Sequence, residues 1–187
     1  MTTADESPYQ EVRSLNQGFL GPRTTIRLGA WNIRTMFETS KTAQPINEMQ
    51  NYNLDLLCVC RWTGSGRKVT WDGSTTLFSG KDNEHSDGVA LIATRQAARS
   101  LMEWEPISDR LIRARFSSNY CNLTILQCYA PTSEAEEDVK DDFYEQLQRV
   151  SKIPQHDLLL ITGGLNASLG MITPGGRMQW GDTARHL

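Results

Sequence analysis

Asn32, Tyr129 and Asn166 each stand at the end of an apolar, strand-like run. The runs are Arg27-Leu-Gly-Ala-Trp-Asn32, Leu123-Thr-Ile-Leu-Gln-Cys-Tyr129 and Leu158-Leu-Leu-Ile-Thr-Gly-Gly-Leu-Asn166. In α/β proteins, strand-end polar groups gather on one rim of a sheet, where ligands bind and catalysis takes place. Two amides and a phenol are neutral donors and acceptors of the kind that position a phosphate and stabilise charge developing on it. They are poor partners for a hard divalent cation, which wants carboxylate oxygens, and none of these three strand ends carries one.

A second constellation lies between Arg61 and Trp71. Arg61-Trp62-Thr-Gly-Ser-Gly-Arg67-Lys68-Val-Thr-Trp71 interleaves cations with aromatics, a pattern suited to a phosphate backbone and a stacked base. Thr63 to Gly73 reads as a Gly- and Ser-containing loop. The competing reading is a solvated loop with one tryptophan packed beneath it. Asp157 opens an apolar run and reads as structural; Asp87 and Asp182 read as turn formers.

The elements that must position these groups follow from apolar patterning. Strands are expected over Thr25 to Ile33, Leu54 to Cys60, Thr75 to Ser79, Gly88 to Thr94, Arg110 to Phe116, Leu123 to Tyr129 and Asp157 to Ile161. Leu28, Ala30 and Ile33 are the expected core residues of the first. The second is apolar enough to be covered on both faces. Arg110 to Phe116 and Leu123 to Tyr129 should form a hairpin through Ser117-Ser-Asn-Tyr120. A helix over Thr42 to Tyr52 should begin near Pro45, since proline is tolerated only in a first turn. Ser133-Glu-Ala-Glu136 has the form of a capping box for a helix carrying Val139, Phe143, Leu147 and Val150 on one face. Trp104 is expected in the core. Strands in series, a hairpin, then helix and strand give an α/β class with a mixed sheet.

The 187 residues suffice for one domain, expected over 24–187 behind a polar tail at 1–23. A net charge of -3 and a pI near 5.6 exclude a generally basic nucleic-acid binder, so contact with DNA must come from a local patch. Cys58 and Cys60 should point the same way in their strand. With Cys121 and Cys128 they lack the spacing and histidine partners of a structural zinc site, and they read as reduced intracellular thiols. No signal peptide, transit peptide or membrane span is expected.

Five segments together have a recognisable form: Leu28-Gly-Ala-Trp-Asn-Ile-Arg-Thr-Met36, Cys60-Arg-Trp-Thr-Gly64, Gly88-Val-Ala-Leu-Ile92, Gln127-Cys-Tyr-Ala-Pro-Thr132 and Leu160-Ile-Thr-Gly-Gly-Leu-Asn-Ala167. In unbroken order over about residues 26 to 170, they resemble the endonuclease/exonuclease/phosphatase superfamily. The closest likeness is to endonuclease domains of non-LTR retrotransposons and to craniofacial development protein 2-like sequences. The resemblance implies a four-layer α/β/β/α sandwich with mixed sheets and magnesium-dependent hydrolysis of phosphodiesters, usually as nicking of DNA. It assigns Asn32 to the metal site, Tyr129 to the scissile phosphate, and Asn166 to phosphate and attacking water. Arg61, Trp62, Arg67 and Lys68 become the expected nucleic-acid contacts.

The departures from that pattern carry equal weight. Relatives place a glutamate, their principal magnesium ligand, directly before Cys-Arg-Trp, where this chain has Val59. They place an aspartate that activates water where this chain has Gly164. Their closing Asp-His motif has no counterpart before Leu187, and His186 comes too early to substitute. The expectation is a C-terminally incomplete domain of retrotransposon origin. Its magnesium binding is compromised, its hydrolysis impaired and its hold on DNA weakened or lost. No small-molecule cofactor or membrane partner is implied. Three alternatives stay open: a working enzyme that recruits metal through another acid such as Asp87, a purely nucleic-acid-binding module, and a decayed reading frame.

Overall fold

A computed structural model describes residues 25–32, 43–82 and 87–165. Ile33, Asn166, Asp182 and His186 therefore lie outside the described residues.

Two sheets are built from strands whose faces are sorted by period-2 alternation. The first holds β1 (Leu28–Asn32), β2 (Leu56–Trp62), β3 (Gly66–Val69), β4 (Thr75–Ser79) and β5 (Gly88–Ala93), in the order β1-β2-β5-β4-β3. The second holds β6 (Leu101–Ser108), β7 (Leu111–Phe116), β8 (Leu123–Tyr129) and β9 (Leu158–Gly164), in chain order. β1 with β2 and β8 with β9 are parallel, and the other pairs are antiparallel. Both sheets are thus mixed.

Three apolar layers hold the stack together. Between the sheets lie Leu56, Cys58, Leu77, Val89, Leu91, Ile112, Phe116 and Ile125. Outside the first sheet, Leu57, Val59, Ala90 and Ile92 meet Met49 and Ile46 of helix α1 (Ala43–Asn51). Outside the second, Leu111, Leu126 and Cys128 meet Phe143, Leu147 and Val150 of helix α3 (Glu137–Val150). β2 is covered on both faces, as its apolar run predicts. The order helix, sheet, sheet, helix is the four-layer sandwich expected from the sequence.

Several local expectations need correction. Residues 63–73 are not one loop, because they contain β3, an edge strand paired only with β4 and largely exposed. The sequence reading also omits β6 and the short helix α2 (Arg95–Arg99). β6 lies at a sheet edge, which is where a strand can carry a proline such as Pro106. Ala30 is exposed, and Trp104 only partly buried against the core. α3 begins at Glu137 rather than after Ser133, and its N-cap, Glu136, makes no side-chain cap bond. Ser133 instead lies in a turn, where its carbonyl accepts a 2.8 Å hydrogen bond from Lys140 Nζ. Val139 is 41% exposed, outside the buried stripe of its helix.

Asp157 fixes the entry to β9. Its carboxylate accepts two hydrogen bonds from Arg115, at 2.6 and 3.0 Å, and one from the Thr124 hydroxyl at 3.0 Å. The Asp157 side chain is 2% exposed. Hydrogen bonding from Arg115, with further help from Thr124, holds this carboxyl below the usual carboxylate range.

Candidate functional site

The rim of the sandwich is set by register. Asn32 pairs with Cys60, Cys60 with Val89, and Val89 with Ser79, so these residues share one level across the first sheet. On the second sheet Tyr129 pairs with Gly164. Cys60 and Tyr129 belong to the same inter-sheet layer.

Regular alternation along β2 puts Leu56, Cys58 and Cys60 inward, and would send Arg61 outward and Trp62 back in. The register against β5 instead shifts between Cys60 and Trp62. At this bulge Arg61 takes a positive φ of 69°. The extra residue reverses the alternation. Trp62 packs in the outer layer against Phe78, while Arg61 turns inward to Tyr129. A left-handed backbone costs a non-glycine residue about 1–2 kcal/mol, and such outliers concentrate where a side chain must be aimed.

Arg61 Nε donates to the Tyr129 hydroxyl at 3.3 Å, and the guanidinium lies 6.0 Å from the ring centroid. Arg110, in the turn before β7, places a second guanidinium 5.8 Å from the same centroid. It donates to the Tyr129 carbonyl at 3.4 Å and forms a 2.7 Å ion pair with Asp87. The ring also lies against Gly164, where an added Cβ would come within 2.8 Å of Tyr129 Cδ2. Tyr129, only 4% exposed, is thus held by two cations and a glycine backbone.

A cross-sheet network supports this arrangement. Gln127 is fully buried, and its Nε2 donates to the Val59 carbonyl at 3.2 Å and to Cys60 Sγ at 3.4 Å. Cys60 Sγ in turn lies 3.7 Å from the Cys128 carbonyl, which it donates to. These bonds tie the two residues before the bulge to the residue before Tyr129. Gln127 Oε1 is buried without a partner. Burial pushes the Cys60 thiol up from its ordinary pKa, and pushes Cys128 up to about 12. Both are neutral thiols near pH 7, not thiolate ligands or nucleophiles.

Of the residues singled out from sequence, the structure brings Arg61 and Tyr129 together. Asn32 is exposed on the neighbouring strand, level with Cys60. Trp62 is core, 9% exposed, and offers no stacking face. Arg67 and Lys68 are exposed on β3, three strands across the sheet from β2, or about 14 Å at ordinary strand spacing. Trp71 is fully exposed beyond the far end of β3. The interleaved basic and aromatic segment is therefore not one surface. Arg110 was missed, and its single arginine before an apolar run carries no sequence signal. A cavity of about 490 Å³ lined by Arg27, Met49, Leu54, Asp55, Asp72 and Arg95 opens at the opposite end of the first sheet, away from Tyr129.

Magnesium does not fit the donors at this rim. The described groups are an amide, a neutral thiol, a phenol and two guanidinium ions, and Asp87 is committed to Arg110. Among the described residues no three of His, Cys, Asp and Glu cluster as metal ligands. Val59, which stands where relatives carry their glutamate, faces the outer layer among Met49, Leu57 and Ile92. An acid there would be buried under α1 and turned from Tyr129.

Comparison with solved structures gives the same architecture. The endonuclease domain of TRAS1, a telomere-specific non-LTR retrotransposon, superposes with a TM-score of 0.55 at 15% identity, over 76% of this chain and 61% of that one. An AP endonuclease from Archaeoglobus fulgidus gives 0.57 at 17% identity, over 78% and 59%. The 3′ phosphatase NExo from Neisseria, bound to a product DNA hairpin, gives 0.55 at 15% identity, over 78% and 60%. The fold is that of the endonuclease/exonuclease/phosphatase proteins. In sequence the chain is 36% identical over 146 residues to craniofacial development protein 2 from Bos taurus, and 35% identical to the same protein from Tragulus javanicus. The matches cover 76% of this chain but about a quarter of those relatives, 24% and 25%. No family model matches the sequence.

Proposed function

We propose that this domain descends from a retrotransposon endonuclease of the metal-dependent phosphodiesterase kind, retains a phosphate-facing rim that contacts DNA, and is impaired in hydrolysis. One observation carries the reading. The rim positions paired with Asn32 and Tyr129 are Cys60 and Gly164, and neither side chain supplies an oxygen. Hydrolysis of a phosphodiester needs the attacking water activated and the developing charge neutralised. Loss of a general base alone costs about 10²- to 10⁴-fold. The fold, the retrotransposon endonuclease among its structural neighbours and the DNA hairpin bound by another support the lineage and the partner.

The test is nicking of supercoiled plasmid with magnesium or manganese. The domain is expected to nick at least about a hundred-fold more slowly than a relative that keeps both acids. Nicking at a comparable rate, abolished by chelator and by Asn32→Ala, overturns the reading.

A further inference from the structure

We infer that the rim holds a DNA phosphate through guanidinium charge without a divalent cation, with Arg61 as the contacting residue and Tyr129 and Arg110 as positioning residues. The inference rests on the proposed phosphate-facing role of the rim and adds what supplies its charge.

Exposure sets the order of contact. Arg61 is half-exposed and lies over a ring that is 4% exposed, so an arriving anion meets the guanidinium before the phenol. The Tyr129 hydroxyl accepts from Arg61 Nε and fixes the direction of the fork. A guanidinium fork matches phosphate oxygens in geometry as well as charge. Arg110 spends its charge on Asp87 and braces the tyrosine through its carbonyl and ring. Two cations and one carboxylate leave the cluster with one net positive charge. The bulge that aims Arg61 inward is held by Gln127 on its preceding residues, so the charge is built into the strand and not carried on a loose loop.

The test measures binding of a fluorescein-labelled duplex oligonucleotide at low salt, with EDTA and with magnesium. Affinities within about two-fold of each other are expected, since a single cationic contact supplies the charge. Arg61→Gln should weaken binding at least about ten-fold and lower the salt slope by about 1. Arg61→Gly controls for folding, because glycine accepts the positive φ without strain. It should melt no lower than the parent and still lose binding. Tyr129→Phe should weaken binding a few-fold with the salt slope unchanged, since it frees the guanidinium without removing it.

Binding seen only with magnesium overturns the inference and leaves the DNA-binding reading standing, as does binding unaffected by either Arg61 variant. No binding under either condition removes both. Metal-dependent nicking with intact EDTA binding would instead sink only the impaired-hydrolysis reading.

Discussion

Asp157→Ala is expected to cost about 3 kcal/mol of folding stability, read as a drop in the urea midpoint at unchanged slope. Removing a buried charge partner generally costs about 3–5 kcal/mol, and the lower end applies because Arg115 keeps 21% exposure and has Glu103 at 3.8 Å. Thr124, 2% exposed, would lose its acceptor as well. The same carboxylate makes stability fall in acid. Its folded pKa lies below the unfolded value because Arg115 donates to it. The contribution is therefore complete well above the unfolded value of about 4, fades as pH drops through it, and is gone below the depressed folded value. Asp157→Asn should flatten the acid limb of the stability curve. An unchanged limb would mean the Arg115 pair does not couple to folding.

Gly88→Ala is expected to cost about 3 kcal/mol or more, an unusually large effect for one methyl group. An added Cβ at Gly88 would lie 1.7 Å from the Trp62 carbonyl oxygen and 2.6 Å from its carbon. Both are backbone atoms and cannot swing aside. The close approach arises at the bulge, where Trp62 pairs with Gly88 after the register shift. Ordinary domains hold about 5–15 kcal/mol in total, so the variant should melt much earlier. It should also lose DNA affinity under conditions where it stays folded, because displacing Trp62 moves Arg61 with it. Parent-like stability would mean that the bulge is not rigid.

Much of the scaffold is legible in the sequence because burial writes itself as pattern. β2 and β5 are nearly all apolar because both faces are covered, and the β7–β8 hairpin and α3 show their own periods. β3 is invisible for the opposite reason. Gly66-Arg-Lys-Val69 is an edge strand with its residues largely in solvent, so no alternation is imposed on it. β6, a second edge strand, is mostly exposed and carries a proline.

The rim is less legible than the scaffold. Tyr129 and Arg61 are 68 residues apart, and what joins them is a bulge that inverts side-chain direction. Read by simple alternation, Arg61 faces outward and Trp62 inward, the reverse of their placement. Val59 misleads in the same way, since sequence order sets it beside the site and strand geometry turns it away. Asp157 was recognisable as structural from its place at the head of an apolar run.

Calorimetric titration with manganese tests the account at its root, that fixed arginine charge stands where relatives hold a metal ion. The expected result is no saturable one-to-one uptake, with or without DNA. A saturable one-to-one isotherm that disappears in Asn32→Ala would show that the rim does grip a divalent cation.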